Sequence, residues 1–167
     1  MDTPGLSAAT FTELYQRHGR EVYRYAFYLS GNAALAEDIT AEVFLRVWSS
    51  AQPVRIATVK AYLLVIARNI YLHDLRDSGR SGELDANIAG SSSVSKQAES
   101  REELRQVLGE LQQFPEIDRS ALLLRAEHGL SYEEIATALG ISVAAAKVKV
   151  HRARMRLAAR FPRNANP

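Results

Sequence analysis

The most constraining feature of this chain is the punctuation of one stretch, Leu130 to Leu157, which reads LSYEEIATALGISVAAAKVKVHRARMRL. Ser131 with Glu134 three residues on forms a capping box, in which side chain and backbone satisfy each other's orphan groups at a helix start. Ile135, Ala136 and Leu139 supply the buried side of the short helix that follows. Gly140 ends it, because glycine takes the left-handed conformation after a helix without steric cost. Ile141 is expected to plug the corner, and Ser142 to cap the next helix. A short helix, a glycine turn and a longer helix make the geometry that seats a second helix in the major groove of DNA.

On that second helix Ala146, Val150, Ala153 and Leu157 fall on one face and are expected to pack inward. Lys147, Lys149, Arg152, Arg154 and Arg156 are left for solvent or phosphate. Ala144, Ala145 and Val148 are small, lie toward the N-terminal end and face the side that meets base edges, where Ala145 or Val148 suits a thymine methyl. His151 is expected at the surface or on the phosphate side.

Charge sharpens this reading. The net charge of the 167 residues is only +2, but residues 143–167 carry seven basic and no acidic side chains, whereas residues 99–142 carry four basic and nine acidic ones. Seven like charges repel one another unless a polyanion neutralises them, which points to nucleic acid.

The rest of the chain sets the context. Hydrophobic residues are 47% of the total, the level of a folded protein, and there is no cysteine, which excludes disulfides and thiolate metal sites. The first ten residues lack the basic start and apolar run of a signal peptide, and no apolar run is long enough to span a membrane. A cytoplasmic location is therefore expected. Alternating strand patterns are absent, and helical spacings recur throughout. The expected architecture is all-α, with two small helical domains, 11–78 and 99–160. A Ser/Gly-rich flexible linker, 79–98, joins them, and a disordered N-terminus, 1–10, and a tail, 161–167, flank them.

The first domain is expected to hold three helices. Phe11 to Leu29 carries Phe11, Leu14, Tyr15, Val22, Tyr25, Ala26 and Leu29 at mostly helical spacings. Asn32 caps a second helix, AALAEDITAEVFLRVW, with Ala36, Ile39, Val43 and Val47 as its core stripe. Leu35, Leu45 and Trp48 lie off that stripe among Asp38, Glu42 and Arg46, and such a mixed outer face suits a protein partner or packing on a neighbouring helix. In the third helix, VKAYLLVIARNIYLHDLRD, the apolar side is Leu63, Ile66, Ala67, Ile70, Tyr71 and Leu75. Tyr62, Asn69, His73 and Arg76 gather opposite, with Arg68 at the edge, a mixture suited to stacking on exposed bases and holding phosphates.

In that order, AEDITAEVFLRVW, KAYLLVIARNIYLHDLR and GLSYEEIATALGISVAAAKVKVHRARMRL resemble the sigma-70 family of bacterial RNA polymerase initiation factors, of the short extracytoplasmic-function (ECF) group. The resemblance covers about residues 11–77 and 100–160. It implies that Asp38, Ala41, Glu42, Leu45 and Trp48 contact the β′ clamp of core polymerase. It also implies that the loop holding Gln52, Val54, Arg55 and Ile56 captures a flipped base, and that Tyr62, Arg68, Asn69, His73 and Arg76 contact the −10 element. By the same resemblance Ser142, Ala144, Ala145, Lys147, Val148, Lys149, His151, Arg152, Arg154 and Arg156 read the −35 element, with this region near the β flap. An anti-sigma factor is an implied partner, with the free protein a monomer or a 1:1 complex. Ala144-Ala145-Ala146 stands where the family often has Gly-Thr-Val, Val148 where a small hydroxyl residue is usual, and His73 where an Asp is common.

No cofactor, metal or catalysis is expected. Glu37 and Asp38 project about 100° apart on their helix with no His, Ser or Cys constellation beside them, and His18, His73, His128 and His151 lack metal-ligand spacing. The competing readings are an operator-binding dimer, which needs a two-fold interface and palindromic sites, and a helical adaptor that binds only proteins.

Overall fold

The computed structural model describes residues 8–50, 58–79 and 96–162. Among these residues there are seven α-helices and no strand: α1 (Ala8–Ser30), α2 (Ala33–Ser49), α3 (Val59–Ser78), α4 (Lys96–Gln112), α5 (Glu116–Ala126), α6 (Tyr132–Leu139) and α7 (Val143–Arg160). The chain divides into two compact units, residues 1–83 and 84–167.

In the first unit α1, α2 and α3 all pack on one another. The α1–α2 corner is built from polar groups. Gly31 adopts φ 68°, Ser30 Oγ donates to Ala26 O at 2.6 Å, and Asn32 Oδ1 accepts from Leu35 N at 2.9 Å. Gly31 N also donates to Phe27 O at 2.7 Å, so the corner supplies partners to a late carbonyl of α1 and an early amide of α2. Thr58 caps α3 in the same way, accepting from Ala61 N at 3.1 Å. The core takes Val22, Tyr25, Ala26 and Leu29 from α1, and the expected stripe of Ala36, Ile39, Val43 and Val47 from α2. Each large aliphatic among them contributes about 1.5–3 kcal/mol by leaving water.

Three features of this unit differ from the sequence expectation. Helix α1 begins at Ala8, inside the stretch expected to be disordered, and Thr12 Oγ1 donates to Ala8 O at 2.9 Å. Phe44, outside the core stripe, is buried because it meets the rings of Phe11 and Tyr15. Helix α3 buries Ala61, Leu63, Leu64, Ala67 and Tyr71, whereas Ile66, Ile70 and Leu75 are only half-buried. Its burial is densest in the N-terminal half, where a wider face is covered than one helical stripe provides.

In the second unit α7 packs on α5 and α6, and α4 leans on α5. Leu108, Leu111, Phe114, Leu122, Leu124, Leu130, Ile135 and Val150 are buried. Arg119 is buried with them, only 4% exposed. Its Nη1 donates to Leu111 O at 3.2 Å and Phe114 O at 3.4 Å, closing the C-terminal end of α4 with a cation. A guanidinium suits this place, since helix C-termini present unpaired carbonyls and partial negative charge.

Candidate nucleic-acid interface

The α6–turn–α7 unit has the caps its sequence promises. Ser131 N donates to Glu134 Oε2 at 2.9 Å, and Glu134 N donates to Ser131 Oγ at 3.1 Å. Gly140 has φ 66°, Ile141 N reaches Ala136 O at 3.0 Å, and Ser142 Oγ accepts from Ala145 N at 3.0 Å. Ala146, Val150 and Ala153 are buried, while Ile141 and Leu157 are half-buried. The opposite side of α7 presents Ala144, Val148, His151, Arg152 and Met155 to solvent, with Val148 45% and Met155 59% exposed. Small and apolar groups at the centre, with cations at the edges, fit a helix that lies against base edges between two phosphate rows.

The cations of α7 are not all unmatched. Lys149 Nζ lies 3.2 Å from Asp118 Oδ1, Arg156 Nε 3.2 Å from Glu110 Oε1, and Arg160 Nε 3.8 Å from Glu110 Oε2. The Arg156 guanidinium also sits 4.4 Å from the centre of the Phe114 ring. Lys147 Nζ is 5.7 Å from the Tyr132 ring centre, and Arg125 stacks at 4.4 Å on the same ring. Two carboxylates, on α4 and α5, thus answer three cations of the basic segment from within the unit.

The first unit carries a different surface. An open groove of about 950 Å³ runs between α1 and α2, walled by Phe11, Tyr15, Phe44, Ala41, Leu45 and Trp48. Phe11 meets Trp48 edge-on at 4.9 Å, and Tyr15 meets Phe44 edge-on at 5.0 Å. Leu45 and Trp48 remain 59% and 44% exposed. Tyr23 and Glu37 line the same groove. Burial, with the Glu37 carboxylate adding to it, raises the Tyr23 phenol above its ordinary pKa.

Comparison with known proteins decides the family. Sigma-70 region 2 matches residues 14–81, and sigma-70 region 4 matches residues 104–157. The chain is 30% identical over 161 residues to the ECF RNA polymerase sigma factor SigM of Bacillus subtilis, covering 94% of this chain and 98% of that protein. The chain belongs to the ECF-type sigma-70 family. It is also 33% identical over 165 residues to the ECF sigma factor SigE of Mycolicibacterium smegmatis, spanning 93% of this chain but only 64% of that relative. Among solved structures, the sigma factor RpoE of Bartonella quintana, in complex with the anti-sigma factor NepR, shares the fold. Its TM-score is 0.73 at 23% identity, over 89% of this chain and 94% of that one. Sigma factors are non-catalytic subunits that direct RNA polymerase to promoters.

Within this sigma factor the structure places the candidate residues in three groups. Ala41, Leu45 and Trp48 lie on the groove wall, with Asp38 exposed on the adjoining face of α2. Glu42 on that face is held by Arg46 Nε at 2.9 Å. On α3, Asn69, His73 and Arg76 form an exposed stripe, Tyr62 and Arg68 are half-buried, and His73 Nε2 is 3.3 Å from Asp77 Oδ2. Gln52, Val54, Arg55 and Ile56 lie outside the described residues. On α7, Ser142, Lys147 and Arg154 are exposed like Ala144, Val148, His151 and Arg152, Ala145 is half-buried, and Lys149 and Arg156 are ion-paired within the unit. Sequence reasoning took Phe11 and Tyr15 for ordinary apolar positions of α1 and missed that they wall the groove. The signal was present, as an aromatic pair four residues apart at the end of a helix already rich in core residues.

Proposed function

We propose that this sigma factor divides its work among three surfaces. The α1–α2 groove, with Asp38, Ala41, Glu42, Leu45 and Trp48, receives the β′ clamp of core polymerase. The exposed stripe of α3 takes the opened −10 strand, and α7 reads the −35 duplex. The observation that carries this reading is the groove itself: Leu45 and Trp48 stay exposed beside Phe11 and Tyr15 while acids line the adjoining face of α2. An apolar cleft with a charged rim is what a partner helix requires for burial and register. Binding energy from unstacked bases on α3 then favours the open over the closed promoter.

The factor works in the cytoplasm as a monomer. Among the described residues no helix is long and apolar enough to cross a membrane. An anti-sigma factor is its proposed antagonist, as the pairing of the Bartonella quintana sigma factor with NepR suggests. Single-round transcription with purified core polymerase and a promoter library tests the assignment. Specific transcripts should appear only with this chain and fall at least tenfold for Asp38→Arg and Leu45→Asp. Tight dimeric binding to a palindrome, with no binding to core, would move the answer to an operator-binding regulator.

A further inference from the structure

The three paired cations of α7 are not scattered. At 100° per residue Lys149, Arg156 and Arg160 share one flank of the helix, while Lys147 and Arg154 share the other and Arg152 lies between them on the outward side. The first flank is the one facing α4 and α5, where Asp118 and Glu110 stand. No acidic side chain among the described residues pairs with Lys147, Arg152 or Arg154. Helix α7 therefore has a neutralised flank and a charged flank, and the difference is made by two carboxylates 31 and 46 residues away in sequence.

We propose that Glu110 and Asp118 are specificity-determining residues that act through α7. By holding Lys149, Arg156 and Arg160, they confine phosphate binding to Lys147, Arg152 and Arg154. This fixes the register of α7 in the groove and limits its grip on unrelated DNA. Phosphate contacts supply most non-specific affinity, whereas base contacts supply discrimination. A recognition helix with every cation available would gain affinity for any duplex. Neutralising one flank leaves the exposed Ala144 and Val148 a larger share of the decision. The proposal rests on the reading of α7 as the DNA-binding helix.

Salt dependence reads this directly, because log Kobs falls with log[salt] by about 0.9 for each phosphate neutralised on B-DNA. The full-length chain is titrated onto a fluorescent random-sequence duplex by anisotropy between low and moderate NaCl. Glu110→Gln releases two cations, so the slope should steepen by about 1.8, and Asp118→Asn releases one, for about 0.9. Both variants should also bind random duplex several-fold tighter at physiological salt.

Glu102→Gln is the control. Glu102 is an exposed acid of α4 paired with Arg105, so the change removes the same charge without releasing a cation of α7. Its slope should stay at the wild-type value. Unchanged slopes in folded Glu110→Gln and Asp118→Asn would overturn the proposal, as would equal steepening in Glu102→Gln. A purely structural role would lower the melting temperature and leave the slope alone. Should Glu110→Gln fail to fold, Asp118→Asn decides the matter. A wild-type chain that binds no duplex at low salt would refute the DNA reading of α7 itself, a different result from bound chains with equal slopes.

Discussion

Two glycines separate what a backbone position demands from what a sequence merely contains. At Gly140 an added Cβ would meet nothing within 4 Å, yet φ is +66°. The cost of Gly140→Ala is then conformational alone, about 1–2 kcal/mol for an L-residue held in the left-handed region. Gly109 lies inside α4 with equally open space around it and no unusual φ. Gly109→Ala should stabilise the chain by about 0.5–1 kcal/mol, since glycine is the poorer helix former. Urea denaturation of both variants checks the pair, and opposite signs are the expected outcome. Phe44 shows the limit of a single stripe as a guide to burial. It is buried beside Val43 because rings from α1 cover the flank of α2, and nothing within α2 announces that neighbour.

Among the elements, helix boundaries were the most legible because side chains write them. Asn32, Ser131, Gly140 and Ser142 mark four ends of helices, and each makes the hydrogen bond or adopts the backbone its residue type suggests. The end of α4 was not legible, because it is closed from elsewhere. Arg119 reaches back to the carbonyls of Leu111 and Phe114 from the first turns of α5. Replacing it with Met keeps the stem and removes the donors, so Phe114 O loses its guanidinium partner and Leu111 O keeps only the Phe114 amide at 3.1 Å. Arg119→Met should cost about 2–4 kcal/mol, measured as a lower denaturation midpoint at unchanged slope. The surface variant Arg105→Met, at an exposed position of α4, should lie within about 0.5 kcal/mol of wild type. The ion pairs of α7 escaped the sequence reading for the same reason. A local window shows seven cations in a row of segments and cannot show which acids fold beside them, although the nine acidic residues of 99–142 were the available hint.

For the whole molecule, composition and order carried most of the inference. Residues 1–83 hold nine basic and nine acidic side chains, and residues 84–167 hold twelve and ten, so neither unit is strongly charged and the mean says little. Distribution within each unit says more, and so does the succession of three motifs. The groove was less legible, since it is a property of two helices together: Phe11 and Tyr15 belong to α1 and Leu45 and Trp48 to α2. Trp48 is the only tryptophan of the chain, so fluorescence excited selectively from tryptophan, away from the seven tyrosines, reports on this groove. Phe11→Ala uncovers one edge of the indole, so emission should shift to the red and acrylamide quenching should rise. Glu102→Gln, in the other unit, should leave the spectrum unchanged.

Helix α6 is only eight residues long, held by a capping box at one end and a left-handed glycine at the other. Two turns of helix are unstable in isolation, because the cost of nucleation is spread over too few hydrogen bonds. Such an element has no half-way posture: it is either seated with Ile135 and Leu139 in the core or it is coil. The α6 share of the support beneath α7 is therefore all-or-none, and a ligand that melted α6 would leave α7 packed on α5 alone.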